Sequence, residues 1–207
     1  MRTHSKETQQ TLTPELALEI LREGNERFVK NLKANRNLLQ QVNETSAGQF
    51  PFATILSCMD SRTSAELIFD QGLGDIFSIR VAGNILNQDI LGSMEYATKV
   101  VGTKIILVLG HTKCGAIVGA CNHVKLGNLT GLLEKIQPAI ELETVSAADR
   151  DGSNPVFVNN VTKLNVELMI ERIRKESPII AALEQEDQLK IIGGVYDVDN
   201  GQVTFFQ

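Results

Sequence analysis

Apolar and polar positions along this chain repeat with two different periods, and the points where one gives way to the other predict its elements. Residues 1–12 are polar without periodicity and read as a disordered start. Thr13-Pro14-Glu15 reads as a helix start, with a capping hydroxyl, a proline at the first helical position and an acid near the positive dipole end. Ala17, Ile20, Leu21 and Phe28 follow at helical spacing, which predicts an amphipathic helix over about 14–32. Residues 33–50 hold Asn35, Asn37, Asn43 and Gly48 and read as a linker. The helix before it then reads as an arm that packs on something beyond its own neighbours.

From residue 51 onward the pattern alternates strand and helix. Phe52 to Ser57 and Ile76 to Ala82 are short apolar runs that follow turn residues. Ile90, Met94, Ala97 and Val101 give helical periodicity over 89–101, and Lys104 to Gly110 is a nearly all-apolar strand of the kind buried on both faces of a parallel sheet. Cys114 to Cys121 reads as helix, with further helices expected within 128–143, over 154–175 and after Ser177-Pro178. Leu189 to Tyr196 and Gln202 to Phe206 read as strands joined by a tight turn at Asp199-Asn200-Gly201. This order predicts an α/β fold: a mostly parallel central sheet with an antiparallel edge strand, flanking helices and an N-terminal helical arm.

A length of 207 residues fits one domain, with a tail and arm over 1–47 and the α/β body over 48–207. Three cysteines suit thiols kept reduced rather than a secreted disulfide scaffold. A net charge of −5 gives no electrostatic footprint for nucleic acid or an anionic membrane. No apolar run approaches the roughly 20 residues that span a bilayer, and MRTHSKETQQ lacks the apolar segment of a secretory signal. The expectation is a cytoplasmic protein with neither nucleic acid nor membrane as partner.

Two segments carry candidate chemistry, each at the C-terminal end of an expected strand, where open α/β sheets gather their ligand sites. They are Ser57-Cys58-Met59-Asp60-Ser61-Arg62 and Gly110-His111-Thr112-Lys113-Cys114-Gly115. Cys58, His111 and Cys114 can meet at one sheet edge, and thiolate and imidazole together select zinc. Two Cys and one His leave a fourth tetrahedral position open, which separates a catalytic from a structural site. Cys114, at a helix start, would have its thiolate favoured by the dipole. Asp60 and Arg62, at i and i+2 in extended chain, would point the same way and pair, and a paired Asp60 could orient the nucleophile. Cys121 lies about 10 Å along the helix from Cys114 and reads as core. His4 and His123 read as solvated. Gly72, Gly74 and Gly83 fit neither the dinucleotide fingerprint nor the P-loop.

C-x-D-S-R after one strand, R-x-A-G-N at Arg80 to Asn84, E-Y-A at Glu95 to Ala97 and G-H-T-x-C-G after another strand together resemble the β-class carbonic anhydrases. The resemblance runs from about Gly48 to G-G-V-Y-D at 193–197. It implies one Zn²⁺ per chain on Cys58, His111 and Cys114, and zinc-dependent reversible hydration of CO2 to bicarbonate and a proton. The implied zinc-bound hydroxide is oriented by a catalytic dyad of Asp60 and Arg62. It implies that Gln49 hydrogen-bonds substrate or bicarbonate and that Phe77, Ala82 and Tyr96 line a small apolar CO2 pocket, Tyr96 from a neighbouring subunit of a homodimer or homotetramer. Gly115 matches the place where the backbone approaches the metal closely. Members with a regulatory bicarbonate site have a tryptophan three residues before the first ligand, where this chain has Ile55; Arg80 and Tyr196 match that site and read as structural. The implied site is therefore open, with Asp60 a ligand only if it closes. A COS or CS2 hydrolase, a structural zinc module and a thiol redox protein are the rival readings.

Overall fold

The most continuous apolar run in the chain forms the middle of the sheet. β3 (Ile105–His111) is buried along its whole length, as a strand covered on both faces must be. The computed structural model describes residues 3–206. It pairs β3 in parallel with β1 (Ala53–Ser57) on one side and β4 (Lys190–Tyr196) on the other. β2 (Ile76–Arg80) adds in parallel outside β1, and β5 (Val203–Phe206) runs antiparallel to β4 at the opposite edge. The order β2-β1-β3-β4-β5 is the mostly parallel sheet with an antiparallel edge strand that the pattern of elements predicts.

Period-two alternation in β3 divides the core between two faces. Ile106 and Val108 pack with Met169, Ile170 and Ile173 of α9 (Pro155–Glu176) and with Ile180 of α10 (Pro178–Gln185). On the other face Ile105, Leu107 and Leu109 join Ala17 and Leu21 of α2 (Pro14–Val29). Phe69, at the end of α4 (Ala65–Ile68), belongs to the same cluster. α2 thus covers its own chain's sheet, while Leu16 and Val29 face outward. Its approach to α4 needs glycine, because a Cβ on Gly24 would lie 1.9 Å from the Phe69 carbonyl oxygen. One helical turn carries a further lock: Asn25 donates to the carbonyls of Ile68 and Gly201 and accepts from the Val203 N–H. That last bond covers part of the β5 edge.

Several local expectations are corrected. Residues 1–12 are not a disordered start: α1 (Lys6–Thr11) forms there, with Ser5 and Thr8 in a capping box. Buried Gln9 ties it to the Pro51 carbonyl at 2.7 Å, and the His4 ring packs 5.3 Å from that of Phe52, so His4 is not solvated. Residues 1 and 2 of that segment lie outside the described range. The expected linker over 33–50 contains α3 (Leu38–Thr45), capped by Asn37 and anchored by Gln41, which accepts from the Leu73 N–H. The helix over 89–101 is two pieces, α5 (Gln88–Glu95) and a π-helical turn, Tyr96–Val101, closed by Gly102 at φ 93°. The segment 128–143 is broken into α7 (Gly127–Leu133) and α8 (Gln137–Leu142), the second opened by Pro138, which has no N–H to extend a preceding helix. α6 (Gly115–Cys121) lies as expected. No helix among the described residues is long and apolar enough to cross a membrane.

Asp70 anchors the segment that links α2 to the body. Its carboxylate accepts from Arg27, from the Ala34 N–H and from Arg36, at 2.6, 3.1 and 2.6 Å, while Arg36 also donates to its carbonyl. Burial opposes the charge on Asp70, but these donors outweigh it and hold its pKa below the ordinary carboxylate value. A depressed folded pKa contributes stability above the unfolded value, lost as pH falls through the folded one. Asp70→Asn is therefore expected to lose about 3 kcal/mol at pH 7, since it leaves buried guanidinium without its counter-charge. Urea melts of variant and wild type should converge as the pH drops below about 4.

Candidate metal centre

Parallel pairing of β1 with β3 makes the two strands end at one level, Ser57 beside Leu109. Cys58 is the first residue beyond β1, His111 is the last of β3, and Cys114 is the N-cap of α6. All three are buried, and their ligand atoms lie within 4.8 Å of one another; among the described residues no other such group forms. The Cys58 and Cys114 sulfurs are 3.9 Å apart. Two Zn–S bonds of about 2.3 Å at a tetrahedral angle would set them about 3.8 Å apart. His111 Nδ1–H donates to the Thr112 carbonyl at 2.9 Å, which fixes the tautomer and leaves Nε2 bare. Nε2 is buried with no hydrogen-bond partner. An orphaned imidazole nitrogen beside two sulfurs at this spacing fits a zinc ion.

The cysteines differ in electrostatic setting. The neighbouring Cys114 thiol lowers the Cys58 pKa, against burial, helped by His111 and by the N–H groups of Asp60 and Gly83. Both N–H groups lie 3.4 Å from the Cys58 sulfur. Gly83 adopts φ 67°, and a Cβ there would sit 2.9 Å from Ile136, so only glycine brings this N–H so close. Cys114 is shifted the other way. Its bond to Cys58, burial and the Cys58 charge push the thiol up, outweighing the Ala116 and Ile117 N–H groups at the start of α6. The N–H groups at the start of α6 favour the Cys114 thiolate as expected, and the charge on Cys58 opposes it. Two thiolates at this distance need a cation between them, which is the demand a divalent metal meets. Cys121 is a core residue, its thiol pushed up to about 11 by burial.

Asp60 and Arg62 form a bidentate pair, Nε to Oδ1 at 2.9 Å and Nη2 to Oδ2 at 2.8 Å. The pairing does not come from extended chain as the i, i+2 spacing suggested. The backbone turns, and the Arg62 N–H also donates to Oδ1 at 2.9 Å. The Arg62 guanidinium holds the Asp60 carboxyl well below the usual carboxylate range despite partial burial. Thr63, which sequence reasoning passed over, donates through its hydroxyl toward the carbonyls of Cys58 and Asp60 at 3.0 and 2.9 Å. A single Thr after the motif has no periodic or compositional signature, so nothing in the sequence singled it out.

The expected pocket residues are brought together only in part. Phe77 and Tyr96 lie with ring centroids 6.5 Å apart, Phe77 half-buried and Tyr96 54% exposed. Ala82 is half-buried, in the turn that precedes Gly83. Gly115 is exposed, with open space where a Cβ would stand. Gln49 is exposed before β1 and bonds to none of these residues. Ile55 is fully buried in β1 and Tyr196 is buried at the end of β4. Arg80 donates to the Cys58 and Asp60 carbonyls. His123 is exposed beyond the far end of α6, as expected.

Comparison with known proteins agrees with this geometry. The carbonic anhydrase family model matches residues 53–203. Carbonic anhydrase 2 of Mycobacterium tuberculosis is 37% identical over 201 residues, covering 92% of each chain. The fold resembles the β-carbonic anhydrase CafA of Aspergillus fumigatus, with a TM-score of 0.74, 23% identity and coverage of 93% of this chain and 90% of that one. It also resembles tetrameric β-carbonic anhydrases of Sordaria macrospora, with a TM-score of 0.68, 23% identity and coverage of 81% and 89%. With the family model spanning β1 through β4 and both metal-site segments, the chain belongs to the β-class carbonic anhydrase family.

Proposed function

We propose that Cys58, His111 and Cys114 hold one zinc ion per chain, and that Asp60 and Arg62 serve the reversible hydration of carbon dioxide to bicarbonate and a proton beside it. The observation that carries this reading is the buried meeting of two sulfurs and an unpartnered imidazole nitrogen next to a bidentate carboxylate–guanidinium pair. When bound, zinc supplies Lewis-acid activation of water at near-neutral pH.

The chain's own residues do the rest. Two thiolates balance the metal's charge, so the site draws no further acidic ligand. Arg62 occupies both oxygens of Asp60 and keeps the carboxylate ionised and off the metal, which is the open arrangement. Asp60 then accepts a hydrogen bond from the attacking water and turns its lone pair toward the carbon of CO2. Phe77 and Ala82, joined by Tyr96 of the partner subunit, offer an apolar wall that holds CO2 without competing for its oxygens, and Gln49 donates to the product. The proton leaves to solvent buffer. Residues 48–207 form the catalytic unit in this reading, with 1–47 as tail and arm, in a reducing, cytoplasmic setting that keeps the three cysteines as thiols.

A second copy of the chain completes the site. Met59, Leu67, Tyr96 and Val100 are large apolar side chains left exposed around the metal-site turn and the π-helical segment. The resemblance to tetrameric relatives supports a homodimer or homotetramer in which Tyr96 lines a neighbour's pocket.

Two substitutions separate metal binding from reaction. Cys58→Ser should fall from one zinc per chain to well below it when measured by elemental analysis after dialysis; full occupancy would remove Cys58 from the ligand set. Asp60→Asn should keep its zinc while kcat/KM for CO2 hydration drops about 100-fold in stopped flow. An unchanged rate in a zinc-loaded sample would take Asp60 out of the reaction.

A further inference from the structure

Arg80 is the last residue of β2 and stands in register with Ser57, the last residue of β1. Beyond Ser57 the chain leaves the sheet, and the carbonyls of Cys58 and Asp60 no longer have a strand beside them. Arg80 reaches over and takes both. Its Nε donates to the Cys58 carbonyl at 3.1 Å and its Nη2 to the Asp60 carbonyl at 2.6 Å. These are the two carbonyls toward which Thr63 also donates, but the two residues have different reach. Thr63 belongs to the turn and fixes its internal shape, whereas Arg80 comes from the neighbouring strand and ties the turn to the sheet. On the opposite side Arg62 Nη2 lies 3.4 Å from the Lys113 carbonyl. The segment bearing Cys58 and Asp60 is therefore suspended between β2 and the loop that carries Cys114.

We infer that Arg80 is a positioning residue for the hydration reaction: by gripping the carbonyls on either side of Met59 it sets where the Cys58 sulfur and the Asp60 carboxylate stand relative to His111 and Cys114. It touches neither the ligand atoms nor the Asp60 carboxylate, and acts only through the backbone between them. A planar guanidinium suits the task, because two donors in a rigid fork can fix two acceptors at once where an ammonium offers a single point charge. Misplacement of reacting groups by about 1 Å costs on the order of 100-fold in rate, so loss of this grip should be felt in kcat although no catalytic atom is removed. The inference rests on the zinc hydratase reading above.

The test compares Arg80→Met, Arg80→Lys and, as a control destabilised far from the centre, Asp70→Asn. Three readouts apply: the rate of zinc transfer to a colorimetric chelator, the visible ligand-field spectrum of the cobalt(II)-substituted protein, and kcat against KM. Arg80→Met should release zinc about tenfold faster, shift the cobalt bands and lose about tenfold in kcat with KM little changed. Arg80→Lys should lie between it and wild type, and carries the test alone if the Met variant does not fold. Asp70→Asn should match wild type in spectrum and zinc release despite its lower melting temperature. Wild-type spectrum and zinc release in the Arg80 variants would overturn the inference, as would equal changes in Asp70→Asn. A wild-type chain that held no zinc and hydrated no CO2 would instead remove the reading of the site, and this inference with it.

Discussion

Parallel pairing of β1 with β3 is the constraint on which the rest of the structure depends. Cys58 and Cys114 are 56 positions apart in sequence, yet their sulfurs lie 3.9 Å apart. A parallel ladder runs both strands in the same direction, so their C-terminal ends come out side by side and the loops beyond them share one space. The register that sets Ser57 beside Leu109 also sets His111 one step beyond the turn that carries Cys58. A slip of one residue would turn every side chain of β1 to the opposite face, exchanging Ile55 and Leu56 between the two halves of the core. The buried faces on both sides of the sheet forbid that slip, and the metal centre inherits its precision from them.

Around that framework the centre is built mostly from backbone groups. Cys58 receives two N–H donors, His111 donates its Nδ1–H to the Thr112 carbonyl, and the turn at 58–62 is closed by the Arg62 N–H on Asp60 and by donors to the Cys58 and Asp60 carbonyls. Backbone groups move little once their strands are packed, so the ligand atoms need little reorganisation. Gly83 shows the cost of such closeness: its N–H reaches a sulfur only because no side chain stands between it and Ile136. The buried Nε2 of His111 and the pairing of the two thiols then leave the centre with a deficit of positive charge, which makes a divalent cation its natural complement.

The N-terminal region is part of the body's own packing. α2 supplies part of the core on one face of the sheet, and the Asp70 cluster fastens the chain that follows it. Near β2 and the π-helical turn, Met59, Tyr96 and Val100 stay exposed. One sheet edge, at β5, is partly covered by Asn25, while β2 at the other edge is partly exposed.

The sequence by itself determined the fold class, the strands and the two segments that meet beyond them. Runs such as KIILVLG are readable because a buried parallel strand must be apolar on both faces, and Cys, His and Asp beyond such runs carry their chemistry in their identity. It also carried the family, since C-x-D-S-R and G-H-T-x-C-G each follow a strand. It did not reveal α1 or α3, because Gln9 and Gln41 hold those helices through side-chain hydrogen bonds to distant backbone, and such bonds leave no periodic trace. Nor did it show that Asp60 meets Arg62 through a turn, or that Arg80 grips two carbonyls from the next strand. Which side chains share one charge or one backbone group is decided by strand register and loop closure, quantities that belong to the packed sheet and to no local stretch of the chain.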